Sequence, residues 1–460
     1  MTGPGLILRN VELDGAITDV TVRGSVVESI GSHRTKSPAD EELDGGHGAL
    51  IPGLHDHHLH LLATAAAAES VVLGPPQVTD RSQFAEVLTR AAGALPPGSW
   101  VRGVGYHESV AGELDRWILD SIVPDRPARI QHSSGAAWFL NSPALSAIGE
   151  ASADGRMYRR DGSMRTDGAA MAPRTLRPTS RLLSAYGVTG VTDATPSEDL
   201  SSVELLGRAV SDGSLVQDVT VTGAPSLAGA PPVEGIHWGP VKFVIADHEL
   251  PTLARICEAY RIAHENDRSI AVHCVTPVAL ALALAAWSEA GVRPGDRVEH
   301  GAVVSPEAAE RMAELGLVVV TQPGFIASRG DRYLVEVERA DIPHLYPCGS
   351  LMARGIRVGG STDAPYGELD PWRAMAAAIT RRTASGHVIS SGERVTPERA
   401  LGLFLTPPEE PGGRPRSISP GMRANVCLLD RPLREVLDEP SSDHVSATII
   451  GGCIAYLRRP

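Results

Sequence analysis

The chain reads as an α/β protein: a (β/α)8 TIM barrel, a small β-sandwich domain built from both chain ends, and a subdomain inserted after the first barrel strand. Three observations predict this. Short apolar runs alternate with helical stretches through the middle of the chain, the pattern of a parallel sheet with covering helices. β-rich segments flank that middle on both sides, and neither could bury a sheet face alone. One connection exceeds a hundred residues, far beyond an ordinary loop. The expected boundaries are 1–49 with 415–460 for the sandwich, 50–414 for the barrel and about 75–186 for the insert.

In chain order, residues 6–31 form a meander: Leu6-Ile7-Leu8, a turn at Asp14-Gly15, an alternating stretch from Ile17 to Val22, Gly24, then Val26 to Ile30. Eight runs mark barrel strands, at 50–58, 187–193, 217–222, 239–246, 269–274, 297–301, 317–322 and 356–363. The insert between the first two has its own strand candidates at 100–106 and 127–132. Ser305-Pro306-Glu307 opens a helix with an N-cap, a first-turn proline and an acid, and Gly316 closes it; Thr396-Pro397-Glu398 opens another. Pro- and Gly-rich sequence at 407–415 marks the second boundary. Strands at Val426 to Leu429, Ala447 to Ile450 and Cys453 to Tyr456 complete the far end.

With 460 residues and 42% hydrophobic content, the chain has ample material for a large core. Its net charge of −13 gives no electrostatic support for a nucleic-acid or anionic-membrane partner. No run of about 20 apolar residues exists, and Met1-Thr2-Gly3-Pro4-Gly5 lacks the build of a secretory signal. Five scattered cysteines without a C-x-x-C fit a reduced compartment, so a cytoplasmic location is expected. One count stands out. Of 42 basic residues only Lys36 and Lys242 are lysine. A lysine inside an apolar strand therefore asks for its own explanation.

The chemistry centres on Leu50-Ile51-Pro52-Gly53-Leu54-His55-Asp56-His57-His58-Leu59-His60. Side chains two apart on a strand share a face, about 6.5–7 Å apart, so His58 and His60 can close on one ion. A solvated His-rich loop would also collect metal, but the apolar flanks argue against one. Other strand ends supply more donors: Lys242 in the fourth run, His273 ending the fifth, His300 ending the sixth and Asp363 ending the eighth. Singly, each has an ordinary explanation as a structural histidine, a helix cap or a snorkelling lysine. Jointly they point to a metal site at one end of the barrel.

Lys242 bears on how many metals there are. A protonated ammonium beside a divalent cation would be repelled, so the amine must be neutral or converted. Desolvation lowers its pKa, and the free amine can take up CO2 as a carbamate, a bridging carboxylate longer than Asp or Glu can supply. The alternative is a mononuclear site with Lys242 as a buried structural or substrate-binding cation.

In this order the residues resemble the amidohydrolase superfamily: β-rich ends, H-x-H on the first strand, then Lys, His, His and Asp on strands four, five, six and eight. Finer wording is similar to the YtcJ-like (amidohydrolase 3) branch, in Trp100-Val101-Arg102-Gly103-Val104-Gly105-Tyr106, Val298-Glu299-His300, Thr321-Gln322-Pro323 and Ser361-Thr362-Asp363-Ala364-Pro365. The resemblance implies a zinc-type hydrolase of C–N bonds, amide or cyclic amide. It would place His58, His60 and Asp363 on one ion and His273 and His300 on a second, with carboxylated Lys242 between them. Imidazole and carboxylate donors suit Zn2+, with Mn2+ or Fe2+ as alternatives. A metal-activated hydroxide would attack the carbonyl, with Asp363 as general base.

The chain departs from the branch pattern at His107, Ala136, His55, His57 and Asp247-His248; none of these removes a ligand. His107, His132 and Trp138 in the insert, Arg329 after strand seven and Tyr366 after strand eight are candidates to face a small-molecule substrate, and packing would explain each equally well. A ring deaminase with one metal is the competing enzyme, but no acid follows His273 in Cys274-Val275-Thr276-Pro277 to serve as its proton shuttle. A non-catalytic scaffold is a third possibility, though such relatives lose ligands and none is missing here. A homodimer is the default expectation for a soluble enzyme.

Overall fold

The computed structural model describes residues 5–31, 40–135, 137–150, 152–158, 175–196, 199–247 and 249–458, so Ala136 and His248 lie outside the described residues. The chain is mixed α/β and divides into two compact units, Met1–His60 with Arg177–Pro460, and Leu61–Leu176.

In the larger unit, β1 (Gly5–Leu13), β2 (Ala16–Arg23) and β3 (Val26–Ile30) form the expected meander. A short strand absent from the sequence reading, β4 (Glu41–Asp44), adds to β1 in parallel. Its Glu-Glu-Leu-Asp composition carries no alternation to betray it. The run from residue 50 splits. β5 (Leu50–Pro52) pairs with a C-terminal strand, while β6 (Leu54–Leu59) enters a parallel sheet. The break falls at Gly53, where an added Cβ would sit 2.1 Å from Thr189 Cγ2, so only glycine lets the chain pass.

The smaller unit carries a five-stranded sheet of β7 (Val71–Val72), β8 (Val101–Tyr106), β9 (Ala128–His132), β10 (Ala137–Leu140) and β11 (Arg156–Tyr158). β7, β8 and β9 run parallel, and β10 and β11 continue antiparallel. The helix Arg81–Ala94 starts at Asp80, whose carboxylate accepts from Gln83 N, and buries Phe84 and Leu88. Phe84, Tyr106 and Phe139 meet edge to face, with ring centroids 5.3 and 5.5 Å apart.

Back in the larger unit, β12 (Val188–Asp193), β13 (Asp218–Val221) and β14 (Ile236–Trp238) follow β6 in parallel order. A second parallel sheet holds β15 (Val241–Val244), β16 (Ile270–Cys274), β17 (Arg297–His300), β18 (Val318–Thr321) and β19 (Arg357–Gly360). Gly239-Pro240 separates β14 from β15, because proline cannot donate to the ladder. Backbone bonds still link the two sheets: Lys242 N donates to Gly223 O, and Asp363 N donates to His58 O, both at 2.8 Å. Between strands the helices start as read. Ser305 caps Pro306–Leu315 by accepting from Ala308 N, and Gly316 ends that helix in the left-handed region.

β20 (Val426–Leu429), β21 (Val445–Ile450) and β22 (Cys453–Leu457) complete a sheet with β5. Alternating apolar residues from both chain ends share one core there: Leu6, Leu8, Val20, Val22, Val426, Leu428, Ala447 and Ile449. No helix among the described residues is long and apolar enough to cross a membrane.

Candidate metal centre

The larger unit gathers six donors named from sequence: His58, His60, Lys242, His273, His300 and Asp363. His58 is the penultimate residue of β6, and His60 follows the strand; their rings lie 5.4 Å apart. Both turn Nε2 toward Oδ1 of Asp363, His60 at 3.1 Å and His58 at 3.6 Å. The His300 ring lies 4.7 Å from that of His58 and 4.3 Å from that of His273. Parallel pairing of β16 with β17 sets His273 opposite Glu299 and Cys274 opposite His300, which brings the two histidines together.

Two of these residues hold strained backbone. His300 has φ 70° and Asp363 has φ 56°, left-handed values that non-glycine residues avoid. Such conformations cost on the order of 1–3 kcal/mol each and persist only where the surroundings over-determine them. At Asp363 the surroundings are visible. Its N–H donates to His58 O, and its carbonyl accepts from Tyr366 N, both at 2.8 Å.

Three of the four imidazoles are oriented through their second nitrogen. His58 Nδ1 donates to Glu299 Oε2 at 2.5 Å, and Glu299 Oε1 accepts from Arg297 Nε at 2.6 Å. His300 Nδ1 donates to Gln322 Oε1 at 2.9 Å, and Gln322 in turn donates to Ser361 Oγ. His60 Nδ1 meets Thr195 Oγ1 at 3.1 Å. Metal-binding histidines are held in this way, with one ring nitrogen bonded outward and the other left as a lone pair.

The electrostatics suit a cation. Burial, helped by the Lys242 charge, lowers the pKa of His58, and burial with the neighbouring histidine brings His300 down to about 3, so both are neutral. Burial opposes ionisation of Asp363, but the His60 hydrogen bond and the adjacent imidazoles hold it well below the usual carboxylate range. Glu299 is likewise buried, and the charges of Arg297 and Lys242 keep it ionised. Burial pushes Lys242 down to about 8.

Among the described residues, Lys242 Nζ and His300 Nε2 are buried with no hydrogen-bond partner. Orphaned polar atoms of this kind are rare in native proteins and call for an explanation. A divalent ion supplies one: the donor set of neutral imidazoles, an ionised carboxylate and an unpartnered amine fits such a group. His58, His60 and Asp363 alone place three ligand atoms within 4.8 Å of one another.

Other residues fall as follows. Tyr366 packs its ring 5.4 Å from His60, and its carbonyl accepts from Arg329, whose guanidinium lies 4.1 Å over Phe325. His55 and His57 instead bond the hydroxyls of Thr192 and Thr406. In the smaller unit His107 and His132 both approach Glu108, and Trp138 lies under Arg129. Sequence reasoning missed Glu299, Arg297 and Gln322 as orienting groups. Arg297 and Glu299 carried a usable signal, since charges in an otherwise apolar strand are what singled out Lys242.

A sequence profile of the Amidohydrolase family matches residues 41–456. The chain is similar to an N-substituted formamide deformylase of Arthrobacter pascens, at 27% identity over 96% of this chain and 92% of that one. It is also similar to a putative amidohydrolase, YtcJ, of Bacillus subtilis, at 24% identity over 98% of both chains. In fold it resembles an uncharacterized metal-dependent hydrolase from Pyrococcus furiosus, with a TM-score of 0.71 and 21% identity over 93% of this chain and 99% of that one.

Proposed function

The chain belongs to the amidohydrolase family, and from that premise we propose that it hydrolyses a C–N bond, amide or cyclic amide, in a small molecule. The observation that carries the reading is the meeting of His58 and His60 at one oxygen of a buried, ionised Asp363. The parallel strands we read as one (β/α)8 barrel, supported by the backbone bonds at both junctions of the two sheets. Chemistry at the C-terminal ends of the strands follows from that architecture.

His58, His60 and Asp363 would hold one divalent ion, and His273 and His300 a second. Lys242, as a neutral amine, would add to CO2 with loss of one proton and stand between them as a carbamate. When bound, such an ion polarises a substrate carbonyl and makes water acidic enough to attack near neutral pH. Asp363 takes the proton released on attack and returns it to the leaving nitrogen. Its ionised state in the site equips it to accept. Glu299 fixes the His58 ring, and Gln322 fixes that of His300, so the donors need no rearrangement. Tyr366, beside His60, and Arg329, which bonds the Tyr366 carbonyl, would contact the substrate.

The test is a panel of N-acyl amines, cyclic amides and amino-heterocycles, assayed with zinc, manganese or iron. The similar deformylase is named for N-substituted formamides, which puts N-formyl amines first in the panel. Metal-dependent release of an amine and a carboxylate is expected. Ammonia from amino-heterocycles with no amide turnover would replace this reading with a deaminase, and protein that binds no metal would remove it.

A further inference from the structure

A second cluster of metal-ligating groups lies in the smaller unit, among residues outside the proposed catalytic set. β8 and β9 run parallel with Tyr106 opposite His132, so the ends of two neighbouring strands deliver His107 and His132 side by side. Their rings stack at 5.8 Å with 28° between planes. Glu108, the next residue along, brings Oε2 to 3.0 Å from His132 Nε2 and 4.0 Å from His107 Nε2. All three ligand atoms fall within 4.8 Å of one another.

The two imidazoles are held alike. His107 Nδ1 lies 2.9 Å from the Ser109 hydroxyl, and His132 Nδ1 lies 2.7 Å from the Ser134 hydroxyl. The two Nε2 atoms therefore face one carboxylate. We propose that His107, Glu108 and His132 form a divalent-cation site within Leu61–Leu176, suited to a borderline transition ion such as zinc. Tetrahedral zinc sets its nitrogen and oxygen ligands roughly 3.4 Å apart, a value the observed 3.0 and 4.0 Å bracket. Three protein ligands leave a coordination position for solvent, consistent with the half-buried histidines and exposed glutamate.

The same atoms also make a hydrogen-bonded clamp. The backbone N–H groups of Ser109 and Ser134 approach the Nδ1 atoms at 3.2 and 3.1 Å, which suits imidazoles donating from Nε2 to Glu108. Loading moves each proton from Nε2 to Nδ1, where the serine hydroxyl accepts it in place of the bond from the backbone N–H of Ser109 or Ser134, with no net release. A glutamine at 108 keeps an acceptor for the clamp but lacks the charged oxygen an ion needs, and so separates the two.

The full chain, stripped with a chelator, is titrated with Zn2+ alone, and bound zinc is counted after dialysis. His107→Ala/His132→Ala is expected to hold one equivalent fewer than wild type. Glu108→Gln should weaken that equivalent by more than about tenfold, since losing even an outer partner of a ligand costs 10–100-fold. A His58→Ala/His60→Ala protein should retain it, which keeps the result separate from the proposed hydrolase centre. Co2+ in place of zinc should show visible absorption that the 107/132 variant loses. Should the double variant misfold, Glu108→Gln alone decides. Equal stoichiometry and affinity in wild type and Glu108→Gln would overturn the site.

Discussion

His58 Nδ1 lies 2.5 Å from Glu299 Oε2, although 241 residues separate the two in sequence. Both side chains are buried, and Arg297 closes the far oxygen of the same carboxylate at 2.6 Å. The contact sets the His58 tautomer, leaving its Nε2 lone pair toward Asp363. Glu299→Gln should therefore weaken metal binding by about 10–100-fold, measured by competition with a chelator. It should also lower Tm, because Arg297 is left as a buried charge without its partner. Unchanged metal affinity in a folded variant would reduce Glu299 to a structural partner of Arg297.

Asp363→Asn tests the general base. The amide keeps the size of the side chain but accepts no proton at neutral pH. Turnover is expected to fall by at least about 10²–10⁴-fold, while metal content by elemental analysis falls much less. Full activity would end this role for Asp363.

Lys242 carries the prediction about carbamylation. Lys242→Ala should lose most bound metal, and a short carboxylate such as acetate or propionate should restore part of it by filling the vacated space. Lys242→Arg should show no such restoration, since the guanidinium blocks the space and takes up no CO2. Wild-type metal content retained in Lys242→Ala would favour a mononuclear site.

The metal-free protein should show a pH signature from the same residue. The folded Lys242 pKa of about 8 lies below its ordinary value of 10.5, with burial the main cause. Between those values the unfolded chain holds a proton that the folded chain has released. Stability therefore rises with pH through that window and gains nothing from this group below about 8. Thermal melts of metal-free wild type should climb between pH 8 and 10 relative to Lys242→Met, and parallel curves would assign the effect elsewhere.

Much of the centre was legible in the linear chain because strand chemistry is local. Alternation aimed His58 and His60 at the same place, and both face one oxygen of Asp363; apolar runs ending in polar residues marked Lys242, His273, His300 and Asp363. A lysine in a chain that otherwise uses arginine pointed to 242 without any coordinates. What only the tertiary structure decided is how those ends are held. Gly53 splitting one apolar run between two sheets depends on Thr189, a residue 136 positions away whose contact no window of sequence contains. The Glu299 and Gln322 contacts, the left-handed backbone at His300 and Asp363, and the meeting of His107 with His132 arise where strands distant in sequence lie side by side. Donor identity is written residue by residue, whereas tautomer, strain and proximity are properties of neighbours, and only folding chooses the neighbours.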